Sequence, residues 1–146
     1  MDTHLTLPPI AVTTSDHRRL IRTAHELARH AHPLAAPLLQ ELHRAQVHEA
    51  DELPDDIVTL DTFVTYRLGD DGPSEKRALI HPEDRIWPPA EVSVLTPVGL
   101  SLLGLRVGSR MPLLGASGPS DACVDVEYVG PRVVGTFRPV QLQEIS

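Results

Sequence analysis

The sequence predicts an α+β protein: a short N-terminal antiparallel helical hairpin (coiled coil), then a sheet domain carrying one short helix. Three observations predict it. Two apolar stripes at helical spacing fill the first third of the chain, separated by Pro33 and Pro37. Beyond Asp51 the apolar residues fall instead into short alternating runs punctuated by Gly, Pro and Asp. Within those runs one Thr-Pro start and one Gly stop bracket a single short apolar helix.

Residues 1–14 hold Pro8-Pro9 and the patch Ile10-Ala11-Val12, and read as a tail with a few extended residues. Ser15 or Asp16 is the expected cap of a helix reaching about Ala31, because Leu20, Ile21, Ala24, Leu27, Ala28 and Ala31 form one amphipathic stripe. Pro33 stops it, and Pro37 is tolerated only in the first turn of the next helix. That helix carries Leu38, Leu39, Leu42, Ala45 and Val47 on one side. Two apolar helices joined by so few residues fold back on each other. Residues 1–50 are therefore expected to form one unit. The polar stretch Glu52-Leu53-Pro54-Asp55-Asp56 opens a second, 51–146.

In the second unit, residues 57–60, 62–68, 76–81, 91–95 and 122–129 are strand-like, and 133–138 reads as an edge strand or extension. Gly69-Asp70-Asp71-Gly72-Pro73 predicts a hairpin between the second and third runs. Residues 91–108 say most. Val92, Val94 and Thr96 alternate as a half-buried strand, Thr96 caps a helix whose first residue is Pro97, and Gly104 ends it. Leu100, Leu102, Leu103 and Leu105 are expected in the core, since so short a helix must bury a face. Trp87, in Ile86-Trp87-Pro88-Pro89, is expected to pack across the sheet edge, with a binding anchor as the alternative reading.

Composition narrows the function. With 20 acidic and 13 basic residues the formal charge is −7, which argues against independent, sequence-specific nucleic-acid binding and favours a protein partner. No window approaches a membrane span and residues 1–10 do not read as a signal peptide, so a cytoplasmic location is expected. Cys123 is the single cysteine and reads as a small inert thiol. Of eight histidines, His25 and His30 are five apart, as are His43 and His48, so helical chelation at i, i+4 is not set up and no metal is expected. Phosphate loop, nucleophile elbow and zinc spacing are all missing, so no cofactor is expected either.

Several segments also carry a likeness: Glu41-Leu42-His43-Arg44-Ala45-Gln46, Asp56-Ile57-Val58-Thr59-Leu60, His81-Pro82, residues 91–108 and Val126-Glu127-Tyr128. In this order and spacing the chain resembles the Gre-type transcription elongation factors, and in particular their smaller relatives, the Rnk family (regulators of nucleoside diphosphate kinase). The resemblance implies an FK506-binding-protein-like C-terminal domain that docks near the secondary channel of RNA polymerase and competes with other channel-binding factors. Thr96, Pro97, Val98 and Gly99 match the docking turn. Arg18, Arg22 and Arg29 share a polar face of the hairpin and are candidate contacts. Cleavage-stimulating relatives need carboxylates at the hairpin tip, because a hard divalent metal takes oxygen ligands. Residues 30–37 contain neither Asp nor Glu. An arm of some 16 helical residues reaches only about 24 Å. The expectation is a monomeric, non-enzymatic regulator without transcript-cleavage activity. Two alternatives stand beside it: an interaction module unrelated to polymerase, and a peptidyl-prolyl isomerase by fold analogy. Phe63, Tyr66, Trp87, Tyr128 and Phe137 offer the latter only a thin aromatic lining.

Overall fold

In the computed structural model, which describes residues 7–132, the first helix is started by Thr13 rather than by Ser15 or Asp16. The Thr13 hydroxyl accepts the Asp16 N–H at 3.0 Å. Asp16 is drawn elsewhere, its carboxylate accepting the Leu60 N–H at 3.1 Å. Helix α1 (Thr14–Arg29) ends where the Ala31 and His32 N–H groups return to the carbonyls of Ala28 and Leu27. This is a Schellman closure, with Ala31 at φ 56° in the left-handed position. Ala28 and Ala31 are exposed rather than part of the apolar stripe. Helix α2 (Ala35–Arg44) holds Pro37 in its first turn, as predicted. It stops before Val47, which is 43% exposed and belongs to the next strand.

Residues 10–13 are no tail. Strand β1 (Ala11–Thr13) pairs in parallel with β2 (Gln46–His48), the hairpin forming the crossover between them. Ile10, Ala11 and Val12 are buried.

The main sheet comprises β3 (Thr62–Leu68), β4 (Ser74–Ile80), β5 (Glu91–Ser93), β6 (Arg110–Gly115) and β7 (Gly118–Arg132), in the order β5-β4-β3-β7-β6. All pairs are antiparallel except β4–β5. The turn at residues 69–73 joins β3 to β4 as expected. Residues 57–60 are not a regular strand: Val58 instead ties to the exit of the third helix, α3 (Pro97–Leu102), through Val58 N–H to Leu105 O at 2.9 Å and Gly104 N–H to Val58 O at 2.8 Å. Strand β6 was hidden by Pro112, which a sheet accommodates here because β6 is an edge. The run 133–138 lies outside the described residues.

One apolar cluster joins the hairpin to the sheet. Leu20, Leu38 and Leu42 share it with Val64, Leu79, Val124 and the four leucines of residues 100–105, all at most 1% exposed. Polar contacts reinforce that union. Glu41, 3% exposed, takes two hydrogen bonds of 2.9 Å from Arg44, whose guanidinium also donates to Pro8 O at 2.7 Å. The His17 ring meets Leu42 O at 3.2 Å, holding α1 to α2. Among the described residues, no helix is long and apolar enough to cross a membrane.

A shared core predicts shared melting. Leu38→Ala should destabilise the protein by roughly 2–5 kcal/mol. Helical and sheet signals in circular dichroism should lose their structure in one lowered transition.

Candidate docking face

The Thr96 turn is braced from both sides. The Thr96 hydroxyl donates to Ser93 O at 2.7 Å and accepts the Gly99 N–H at 3.1 Å, closing the first turn of α3. Ser93 Oγ accepts the Leu95 N–H at 3.0 Å. Ser101 Oγ donates to Pro97 O at 2.6 Å and accepts the Leu114 N–H at 2.8 Å, fastening the helix to β6. The four predicted residues divide by position. Pro97 is exposed, Thr96 and Val98 are half-buried, and Gly99 is buried. A Cβ on Gly99 would stand 1.9 Å from Ser93 O, so only glycine lets the helix approach the strand end this closely.

Helix α1 presents a second group. At 3.6 residues per turn Arg18, Arg22 and Arg29 fall within about 40° of arc. That arc lies opposite the buried Leu20 and Ala24, and all three arginines are exposed. Arg29 pairs with Glu26, whereas Arg18 and Arg22 have no partner among the described residues. Arg19 points the other way and binds Asp84 through contacts of 2.7 and 3.1 Å, with Glu83 at 3.5 Å.

Beside Arg19 lies a residue that sequence reading treated only as a strand end. His81 is 3% exposed. Its Nδ1 accepts the Glu83 N–H at 3.1 Å, which leaves the proton of the neutral ring on Nε2, 2.8 Å from Thr23 Oγ1. The Thr23 hydroxyl in turn donates to Arg19 O at 3.1 Å. Burial, followed by the charge of Arg19, holds the His81 pKa below its ordinary 6.5. Thr23 and His81 are 58 residues apart, and no local pattern links them. Asp16, on the same side of α1, has its carboxyl pushed up, chiefly by burial.

Trp87 departs from its expected packing: it is 66% exposed, and Ile86 is 83% exposed. Among the described residues the other aromatic side chains do not converge on a cavity. Phe63 lies beneath Lys76, Tyr66 is buried with its hydroxyl bonded to Arg77, and Tyr128 is 58% exposed. Phe137 lies outside the described residues. Among the described residues no three His, Cys, Asp or Glu side chains gather as a metal site.

A family model described as the Rnk N-terminus matches residues 8–47, the segment from just before β1 into β2. Over 132 residues the chain is 36% identical to the proteins named regulator of nucleoside diphosphate kinase in Escherichia coli (strain K12) and Shigella flexneri, covering 89% of this chain and 96% of each relative. The chain belongs to the Rnk family. This Rnk-family chain also matches the solved structure of a prokaryotic transcription elongation factor GreA/GreB from Nitrosomonas europaea. The TM-score is 0.66 at 29% identity, covering 83% of this chain and 98% of that one. The Rnk-family hairpin and sheet thus share the architecture of a Gre-type protein over most of their length.

Two outcomes follow from this geometry. Gly99→Ala should cost roughly 1–3 kcal/mol or more by driving a methyl into backbone, read as a lowered melting temperature. For His81 the folded pKa is depressed, so the unfolded chain takes up the proton first as pH falls below 6.5. His81 therefore contributes stability above pH 6.5 that is lost as pH falls toward and through the folded value. Melting temperature between pH 7.5 and pH 5.5, on the order of one unit either side of that value, should drop more steeply for the wild type than for His81→Gln.

Proposed function

We propose that this protein is a non-enzymatic transcription regulator that binds RNA polymerase near its secondary channel, competes there with other channel-binding factors, and does not stimulate transcript cleavage. The observation that supports this reading is the match, over nearly the whole length of a GreA/GreB-type factor, of a fold that presents Pro97 on the braced Thr96–Gly99 turn. Pro97 and the outer edge of Val98 form the contact, while Thr96 and Gly99 build the turn. The fixed φ of Pro97 and the cap at Thr96 lower the ordering entropy lost on docking. Arg18, Arg22 and Arg29 supply electrostatic contacts from the hairpin.

The hairpin acts here as part of the body rather than as a free spike. Its 16-residue first helix spans about 24 Å at 1.5 Å per residue. Much of that length lies against the sheet domain through Asp16, Arg19 and Thr23. Chemistry at the polymerase magnesium needs unpaired carboxylates near the tip. The flanking acids are occupied: Glu26 by Arg29 and His30, and Glu41 by Arg44. Steric occupation of the channel entrance is what remains.

The test is capture of purified RNA polymerase core enzyme by the tagged full chain. Wild type should retain the large polymerase subunits. Pro97→Glu keeps a residue suited to the first turn of a helix while placing a charge on the contact, and should reduce capture about tenfold. Stalled elongation complexes with magnesium should show no added RNA shortening. Failure of the wild type to bind polymerase overturns the reading.

A further inference from the structure

The segment between β4 and β5 starts at His81, passes through one short helical turn (Pro82–Asp84) and carries Trp87 before rejoining the sheet at Glu91. It is held to α1 at two points one helical turn apart. Arg19 binds Asp84, and Thr23 meets the His81 ring. Both points border an open groove of about 570 Å³, which Arg22, Glu26, Leu27, Glu83 and Leu95 also line.

Both nitrogens of the His81 ring are committed. Nδ1 accepts the Glu83 N–H at 3.1 Å and so caps the Pro82–Asp84 turn. Nε2 directs the one proton of the neutral ring at Thr23 Oγ1, 2.8 Å away, and the Thr23 hydroxyl passes its own hydrogen to Arg19 O. A second proton can enter only at Nδ1, where it meets the Glu83 N–H donor. Two donors cannot share one contact, so protonation ends the cap.

A replacement acceptor stands beside it. The Glu83 carboxylate lies 3.9 Å from Nδ1 and 3.5 Å from the Arg19 guanidinium, on a side chain that is 78% exposed and has room to swing. Arg19 loses little when Glu83 leaves, because Asp84 keeps it engaged at 2.7 and 3.1 Å. Burial and the charge of Arg19 oppose the added proton, whereas Glu83, Asp84 and Asp61 favour it. Arg22 and Glu26 bring one charge of each sign to the groove, and Leu95 brings none.

We propose that His81 is a proton switch for residues 82–90: on protonation its ring releases the Glu83 N–H, takes the Glu83 carboxylate from Arg19, and re-forms the turn that positions Trp87. Thr23 keeps its bond from Nε2 and Asp84 keeps Arg19, so α1 stays attached and the change is confined to this segment. The inference stands apart from the polymerase reading, and its test uses the protein alone.

Trp87 is the single tryptophan, so its emission reports this segment. Full-length protein is titrated from about pH 7.5 to about pH 5, which spans the ordinary histidine range. Trp87 emission is followed beside the His81 ring nitrogens and amide exchange by NMR. The emission should change with the midpoint of the His81 ring, below 6.5. On the acid side the Glu83 amide should exchange about tenfold faster, after correction for the intrinsic pH dependence, while α1 amides keep their protection. His81→Gln should abolish the Trp87 transition. Glu83→Gln, at an exposed position, should lower the His81 midpoint, and it carries the test if the melting curve shows His81→Gln unfolded. Trp87 emission and a Glu83 amide that stay unchanged through the His81 titration overturn the switch. So does a His81 midpoint in Glu83→Gln at or above that of wild type. Loss of α1 protection at the same midpoint overturns the confinement of the change to residues 82–90.

Discussion

The close approach of the first strand to Gly104 is the constraint on which the rest of the architecture depends. Gly104 has φ +79°, and a Cβ there would lie 2.8 Å from Ile10 Cβ and 2.9 Å from Ala11 O. Without that side chain, the Gly104 carbonyl accepts the Ala11 N–H while its own N–H donates to Val58 O. The Ile10 carbonyl accepts the Gln46 N–H on the other side. One residue thus binds the N-terminal strand, the exit of α3 and the segment leading into the sheet. Thr13 follows immediately and caps α1, so the hairpin's orientation is set where β1 is anchored. The candidate docking turn lies at the opposite end of α3, and fixing the exit of so short a helix also fixes the direction of its start.

Helix α1 uses its three faces for different purposes. Leu20 and Ala24 enter the core. Asp16, Arg19 and Thr23 follow at helical spacing and meet Leu60, Asp84 and His81 on the sheet side. Arg18, Arg22 and Arg29 face solvent. Lifting the hairpin away would expose Leu20, Leu38 and Leu42, at roughly 1.5–3 kcal/mol each. That sum approaches the whole stability of an ordinary domain, on the order of 5–15 kcal/mol. The hairpin is accordingly packed as one body with the sheet, which would hold its arginines at a fixed distance from the candidate Thr96 turn.

Features governed by neighbouring residues were legible in the sequence. The Thr96-Pro97 start and the turn at 69–73 rest on contacts within a few positions, and the Gly104 stop and the leucines of 100–105 announce themselves by local pattern. Features governed by distant partners were not. Strand β1 is three residues long, too short to show a period, and exists because Gln46 and Gly104 lie beside it. Thr13, Ser15 and Asp16 are all good caps, and the distant Leu60 N–H draws the Asp16 carboxylate away from that role. Trp87 reads as packing across the sheet edge, but its N–H is bonded to the Glu91 carboxylate four residues on and its side chain is 66% exposed. The arginine stripe of α1 was visible from spacing, whereas which of its members lack a counter-ion depends on the folded arrangement.

That distribution of counter-ions leaves Arg18 and Arg22 exposed, with no carboxylate paired to them among the described residues, on the outward side of α1. Of the hairpin's own acids, Glu41 is buried beneath Arg44, while Glu26 pairs with Arg29 and lies beside Arg22. Exposed guanidiniums at a rim act at long range, raising the rate of encounter and losing influence as salt screens them beyond about 8–10 Å. A proline corner acts only on contact, and so governs the rate of departure. A competitor for a shared site on a large enzyme needs both kinds of control separately, since arrival decides which factor binds first and departure decides how long the entrance stays blocked. On the proposed docking reading, Pro97 on its capped turn would govern departure, and the exposed Arg18 and Arg22 would govern arrival.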